Sequence, residues 1–197
     1  ATNENDILNR VIETGEYKPS KAKSSITPSM DIQVASNFER LLFDLLKGDD
    51  KKVSSYMNKL TSDGNFKLNQ EELQSLKKNF IGRSINDKST LEIINYVFKL
   101  NNYIIDPHTA TGVAPILLGN MEETEEIFTN SSDVVALATA DAYKFTETVE
   151  PEIKKVDINS KVSIPQKLSE IKNKEEKFDI IGNSITEVKN YILAKTQ

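Results

Sequence analysis

Residues 134 to 140 read Val-Val-Ala-Leu-Ala-Thr-Ala, an unbroken run of apolar and small side chains. A strand with one wet face alternates between apolar and polar residues, whereas a strand covered on both faces does not. The run therefore suits a parallel strand with helices packed on each side. A second short apolar run, Tyr103-Ile104-Ile105, ends in Asp106. Pro107 behind it is suited to the first position of a helix carrying Val113, Ile116, Leu117 and Leu118. Strand followed by helix points to the α/β class, with parallel strands flanked by helices and helix-rich segments around them.

Composition narrows the chemistry. The chain has 197 residues, 38% of them hydrophobic, enough for one large domain or two small ones. It has no cysteine, which excludes thiol nucleophiles, disulfides and thiolate metal sites, and its single histidine leaves little basis for a zinc centre or a histidine triad. No metal is expected. A net charge of -5 gives no footprint for nucleic acid, which needs clustered positive charge. The longest apolar stretches fall far short of the roughly 20 residues a bilayer span requires, and no basic-then-apolar leader opens the chain. The expectation is a soluble protein of a reducing compartment, the cytoplasm, with no membrane or nucleic-acid partner. The seven glycines stand singly at 15, 48, 64, 82, 112, 119 and 182. A loop that cradles a phosphate needs several close together, so that backbone N–H groups can approach the anion.

Helical periodicity accounts for most of the remainder. Residues 5 to 15 form an amphipathic segment, with Asn5 as N-cap, Ile7, Leu8, Val11 and Ile12 on one face, and Gly15 as the stop. After a polar connector, Glu16 to Pro28, a pairing of Ser36 with Glu39 predicts a capping box that opens a core helix of Phe38, Leu41, Leu42, Leu45 and Leu46. Residues 49 to 87 read as two surface helices around Asp63-Gly64-Asn65. The second is capped by Asn69 with Glu72 and aligns Leu73, Leu76 and Phe80. Another helix over 90 to 100 buries Leu91, Ile94, Val97 and Phe98, and the lysine- and glutamate-rich tail holds a helix after Pro165 and a last one opened by Ser184 and Glu187.

In open α/β sheets, ligands bind beyond the carboxyl ends of strands, where helix N-termini converge. Two such places carry polar groups: Asp106 with His108 and Thr109, and Thr139 at the end of the apolar run. Each also has a purely structural reading, Asp106 as an N-cap, His108 as a surface residue and Thr139 as a turn hydroxyl, and on the residues alone that reading stands ahead. Asn3, Asn5 and Asp6 could face a ligand, but capping of the first helix is the favoured reading. The Asn130-Ser131-Ser132 triplet matches a glycosylation sequon common by chance, and no role is assigned to it.

Four strings carry a more specific signal. Ala1-Thr2-Asn3-Glu4-Asn5-Asp6-Ile7-Leu8, the segment from Pro28-Ser29-Met30-Asp31-Ile32 to Arg40, Asp106-Pro107-His108-Thr109-Ala110, and Leu137-Ala138-Thr139-Ala140 to Phe145 resemble the threonine synthase family in order and spacing. They lie within residues 1 to 45 and 88 to 146.

The resemblance implies the C-terminal part of a pyridoxal-phosphate enzyme of the tryptophan-synthase-like fold type II. Such an enzyme converts O-phosphohomoserine and water to threonine and phosphate. It also implies that Thr139 stands beside the pyridine nitrogen, where a neutral hydroxyl limits protonation of the ring. Asp106, His108 and Thr109 are implied to lie near the cofactor. The family's Schiff-base lysine, in a Phe-Lys-Asp setting, has no counterpart here, nor has its Gly-Asn-Phe-Gly phosphate loop, so no residue is assigned a catalytic role. The implied partner is an N-terminal half of the same enzyme, without which the chain is inactive.

On this reading residues 1 to 30 enter from that half, 31 to 150 form part of the large domain with a helical insertion at 49 to 87, and 151 to 197 are a helical tail. The family's usual His-Pro is replaced here by Asp141-Ala142. That change keeps open a phospho-lyase relative making 2-oxobutyrate. A non-catalytic interaction module on the same scaffold is the third reading.

Overall fold

The computed structural model describes residues 1–118, 134–172 and 174–196. Asp133 and the Asn130-Ser131-Ser132 triplet lie outside them. The chain divides into two compact units, 1–163 and 164–197.

The first unit holds two separate apolar cores. In the first, α1 (Ile7–Thr14) buries Ile7 and Val11 and ends at Gly15, whose φ of 78° places it in the left-handed region. Strand β1 (Glu16–Tyr17) follows at once and pairs antiparallel with β2 (Phe66–Lys67). Between them come α2 (Phe38–Leu45) and α3 (Asp50–Asp63), and after β2 comes α4 (Gln70–Lys77). Tyr17 is the hub: its ring stacks on Phe38 at 5.3 Å and on Phe66 at 5.0 Å between centroids. Around it Leu42, Val53 and Leu76 close the core.

The expected capping of α1 and α2 is not what forms. Asp6 precedes α1 without a side-chain cap bond, and Asn37, not Ser36, precedes α2, also without one. Asn3 and Asn5 do not cap α1 but bond the connector that follows it. The Asn5 amide donates to the Lys23 carbonyl at 2.9 Å and accepts from the Lys23 N–H at 2.8 Å. Asn3 donates to Thr27 Oγ1 at 2.9 Å and Asp31 Oδ1 at 2.7 Å. The connector has few apolar side chains to bury, so buried amides fasten it instead. Asn69 and Glu72 do form the expected capping box. Phe80 lies past the end of α4 and is exposed.

The second core is helical. Ile94 and Phe98 of α5 (Asp87–Asn101) meet Ala110 and Ala114 of α6 (Pro107–Leu118) and Val149 and Ile153 of α7 (Thr146–Lys154). The face of α6 in this core is made of small residues, Ala110 and Ala114, while its larger apolar residues Leu117 and Leu118 are exposed.

The strands expected at 103–105 and 134–140 are absent: both stretches are irregular. A strand exists only with a partner to complete its ladder, and the sheet among the described residues is the β1-β2 pair, supplemented by an isolated parallel bridge between Thr2 and Ser84. Val135 is 81% and Leu137 74% exposed, so no described residue covers this apolar run.

Polar contacts tie the two cores together. Besides the Thr2–Ser84 bridge, the Ile26 N–H donates to Asp87 Oδ2 at 3.4 Å and the Ser29 N–H to His108 Nε2 at 3.3 Å.

The second unit carries α8 (Gln166–Ile171), which follows Pro165, and α9 (Ile185–Lys195). Ser184 caps α9 by accepting the Glu187 N–H at 3.2 Å, as its sequence predicts, and the Glu187 carboxylate accepts the Gly182 N–H at 2.8 Å.

Glu72 does more than cap α4. Its carboxylate accepts from the Tyr56 hydroxyl at 2.5 Å and pairs with Lys52, joining α4 to α3. Burial alone would raise the Glu72 carboxyl, but the Lys52 ammonium, the Tyr56 hydroxyl and the Asn69 N–H together hold it below its ordinary value of 4.5. Burial, then the bond to Glu72, pushes the Tyr56 hydroxyl up to about 12. A depressed carboxyl stabilises the fold above its unfolded value and loses that contribution as pH falls through the folded one. A raised phenol contributes below its unfolded value of 10.0 and loses this as pH climbs towards about 12. Tyr56→Phe should therefore cost about 1–2 kcal/mol at neutral pH. In thermal denaturation followed across pH, the variant's deficit should shrink above pH 10; an unchanged deficit there would rule out the hydroxyl as its source.

Candidate functional site

The site is built from the start of α6. Pro107 has no N–H to lose at the first helical position, and Asp106 before it is 1% exposed, so its carboxylate is committed to protein partners. Asp106 Oδ1 accepts the His108 N–H at 2.9 Å and meets His108 Nδ1 at 3.0 Å. Oδ2 accepts the Thr109 N–H at 3.3 Å and a short bond from the Thr109 hydroxyl. Two otherwise orphan N–H groups of the first turn are satisfied, and the negative charge sits at the positive end of the helix.

His108 is buried with both ring nitrogens engaged. Nε2 accepts the Ser29 N–H at 3.3 Å, so it carries no proton. The proton therefore belongs on Nδ1, directed at Asp106. The ring tilts against Phe145, with centroids 4.7 Å apart. A neutral His108 with no free nitrogen anchors the Pro28–Met30 turn to α6.

Thr109 extends the network across 30 positions of sequence. Its hydroxyl oxygen accepts the Thr139 N–H at 3.1 Å and lies 3.4 Å from the Thr139 hydroxyl. The structure thus brings together Asp106, His108, Thr109 and Thr139. The structural reading of Asp106 as an N-cap holds as well, and it is the cap that assembles the others.

Beside this network is a cavity of about 420 Å³, walled by Ser29 and Met30, by His108 and Gly112, and by the stretch from Val135 to Ala140. A Cβ built on Gly112 would meet nothing within 4 Å. Ser29 and Met30 belong to one of the strings that carry the family resemblance, but neither they nor Gly112 were expected at the site. Gly112 had a signal, since four residues after His108 it shares that residue's helix face. The Asp141-Ala142 substitution has a local role: Asp141 accepts the Tyr143 N–H at 2.8 Å and opens the Ala142–Phe145 turn, with Ala142 buried beneath it.

The walls are largely aliphatic, with Ser29, His108 and Thr139 as the polar side chains among them, a lining suited to a flat, mainly apolar ring with polar atoms at its rim. No lysine is among the lining residues. Among the described residues no cluster of acidic residues and histidine could hold a metal ion, and no helix is long and apolar enough to cross a membrane.

Comparison with known proteins places this architecture. A pyridoxal-phosphate-bound threonine synthase from Brucella melitensis superposes on all of this chain and 40% of its own, with a TM-score of 0.77 and 29% identity. A yeast threonine synthase covers 99% of this chain and 42% of its own, with a TM-score of 0.78 and 31% identity. The fold is therefore that of the C-terminal part of a fold-type II pyridoxal-phosphate enzyme, and the α/β class holds although this chain contributes few strands.

The profile described as "Threonine synthase, C-terminal" matches residues 109–192. A threonine synthase from Pseudomonas aeruginosa is 32% identical over 98% of this chain and 39% of its own length. The chain belongs with the threonine synthases and corresponds to their C-terminal portion. It spans about 40% of the length of the curated relatives it matches.

Asp106→Ala would strip the cap and leave the first-turn N–H groups and the Thr109 hydroxyl without an acceptor, costing about 2–4 kcal/mol. Thr139 is exposed, so Thr139→Ala should cost less than about 0.5 kcal/mol. Chemical denaturation of both variants checks the contrast; equal costs would mean that the network is not organised from Asp106.

Proposed function

We propose that this chain is the C-terminal portion of a threonine synthase that converts O-phosphohomoserine and water to threonine and phosphate with pyridoxal phosphate, in the cytoplasm. The observation that carries this reading is the Asp106-His108-Thr109-Thr139 network on an aliphatic cavity, in a chain that superposes throughout on a pyridoxal-phosphate-bound threonine synthase.

The lining fits the ring of that cofactor. The stretch from Val135 to Leu137 offers an apolar wall, Gly112 leaves open the space a side chain would fill, and Thr139 places a hydroxyl at the rim. No lysine and no clustered glycines line the cavity to take the aldehyde and phosphate ends. In this reading those come from an N-terminal half, which also lays a strand against the exposed 134–140 run. When bound, pyridoxal phosphate would supply an electron sink for carbanion chemistry at the substrate. Thr139 would then orient the ring edge, His108 would hold Ser29 and Met30 at the cavity mouth, and the aliphatic wall would keep water from the ring face.

Two experiments test this. The full-length enzyme given O-phosphohomoserine should release threonine and phosphate; 2-oxobutyrate as the main product would select the phospho-lyase reading instead. The isolated chain mixed with pyridoxal phosphate and borohydride should retain no cofactor on any lysine, and specific labelling of one lysine would overturn its dependence on another half. A stable isolated chain that retains no cofactor, from a gene that encodes no such half, would favour the interaction-module reading.

Variants at the site sharpen the assignment. In the full-length enzyme Thr139→Ala should lower turnover and weaken cofactor retention while the melting temperature stays close to wild type. Gly112→Leu should do the same by occupying the cavity. Gly112→Ala should instead stabilise α6 by about 0.5–1 kcal/mol, measurable as a raised melting temperature.

A further inference from the structure

Two cavities share the Pro28–Met30 turn as a wall. The larger, of about 420 Å³, is the one described above. The smaller, of about 120 Å³, is lined by Ile7, Leu8, Ile32 and Ala35. Ala1, Ser29 and Met30 line both. Of these three, only methionine has a side chain long enough to stand as a partition. Asn5 also borders the smaller cavity, but its amide is committed: it exchanges bonds with the Lys23 backbone, donates to Asp31 and accepts from Gln33. The remaining wall is mainly aliphatic, and an apolar cavity is space for a side chain rather than for water.

The backbone on which Met30 stands is pinned. Its N–H donates to the Thr27 carbonyl at 2.8 Å and its carbonyl accepts the Ile32 N–H at 2.8 Å. One residue earlier, the Ser29 N–H is held by His108. The turn is thus fixed while the half-buried Met30 side chain, unbranched and with three rotatable bonds, is free to change rotamer.

We propose that Met30 is a movable partition and a specificity-determining residue: its side chain bounds the larger cavity and swings into the smaller one when a ligand brings a longer unbranched aliphatic chain. This rests on the reading of the larger cavity as the place where cofactor and amino-acid substrate meet. A thioether offers only a weak acceptor, so what Met30 selects is length and apolarity. Burying one more methylene gains about fourfold in affinity. Displacing Met30 from one apolar wall to another offsets that gain, so the wild type tolerates longer chains without preferring them.

The test is calorimetric titration of the cofactor-loaded full-length enzyme with 2-aminobutyrate, norvaline and norleucine, each in competition with O-phosphohomoserine. In the wild type the three should bind within a few-fold of one another. With methionine methyls carbon-labelled, the Met30 resonance, identified as the one lost in Met30→Leu, should move with norleucine and stay in place with 2-aminobutyrate. Met30→Ala removes the partition, and affinity should then rise by about fourfold for each added methylene. Ala35→Leu fills the space into which Met30 swings; norleucine should bind about tenfold more weakly or worse, as overpacking predicts, while 2-aminobutyrate binds as in the wild type.

A wild type that rejects norleucine, or a Met30 methyl that stays still with norleucine bound, would make Met30 a fixed wall and overturn the proposal. Equal norleucine affinity in Ala35→Leu and wild type would do the same. If the amino acids compete with O-phosphohomoserine but Met30→Ala changes none of their affinities, the proposal falls and the reading beneath it stands. If none competes at any length, both fall together. Circular dichroism of each variant separates these results from loss of structure.

Discussion

The carboxylate of Asp106 is the constraint from which the site follows. It is buried, so it must be fully bonded, and the nearest donors are the first-turn N–H groups of α6 and the side chains of His108 and Thr109. Meeting that requirement starts the helix, fixes the histidine tautomer and aims the threonine hydroxyl. Each effect reaches further: the histidine holds the Pro28–Met30 turn, and the threonine holds the backbone at Thr139. Segments about 80 residues apart in one direction and 30 in the other are gathered on one acidic group.

A similar economy holds the first core. Tyr17 is buried between Phe38 and Phe66, and its hydroxyl accepts the Ala35 N–H at 2.8 Å, so one side chain links β1, the approach to α2 and β2. Glu72 joins α3 to α4 in the same manner, with one oxygen serving both the Asn69 cap and the Tyr56 hydroxyl. Where apolar side chains run out, in the connector, the amides of Asn3 and Asn5 replace them.

Helices were legible in the sequence wherever an apolar stripe and a stop signal coincided, as in α1 ending at Gly15 or α4 opening at Asn69. Caps were less so: Ser36 and Glu39 have the spacing of a box, but the backbone turns into α2 one residue later. The strands at 103–105 and 134–140 were misread for a physical reason. Continuous apolar sequence reports what a segment could bury, whereas a ladder depends on what lies beside it, and no strand lies beside either among the described residues. Asp106, His108, Thr109 and Thr139 were visible as polar groups after apolar runs, but on the residues alone a structural reading stood ahead for each, and a site role came only from the family resemblance. Their mutual contacts were not visible, since nothing in a linear spacing of 30 residues requires two threonine hydroxyls to meet. Ser29 and Met30 lay in a string that carried the resemblance, yet they and Gly112 drew no site role, because they contribute backbone and space rather than chemistry.

The two cores of the first unit share no buried side chain, and the contacts described between them are hydrogen bonds at Thr2, Ile26 and Ser29. Apolar contact is indifferent to direction, whereas a hydrogen bond is not. The seam therefore works as a keyed joint. It sets the angle between the cores while leaving each free to repack its own interior. The cavity takes Ser29 and Met30 from one side of that joint and His108, Gly112 and Thr139 from the other. Its width is accordingly a property of the joint, insulated from substitutions deep in either core and exposed to any change in the polar groups along the seam.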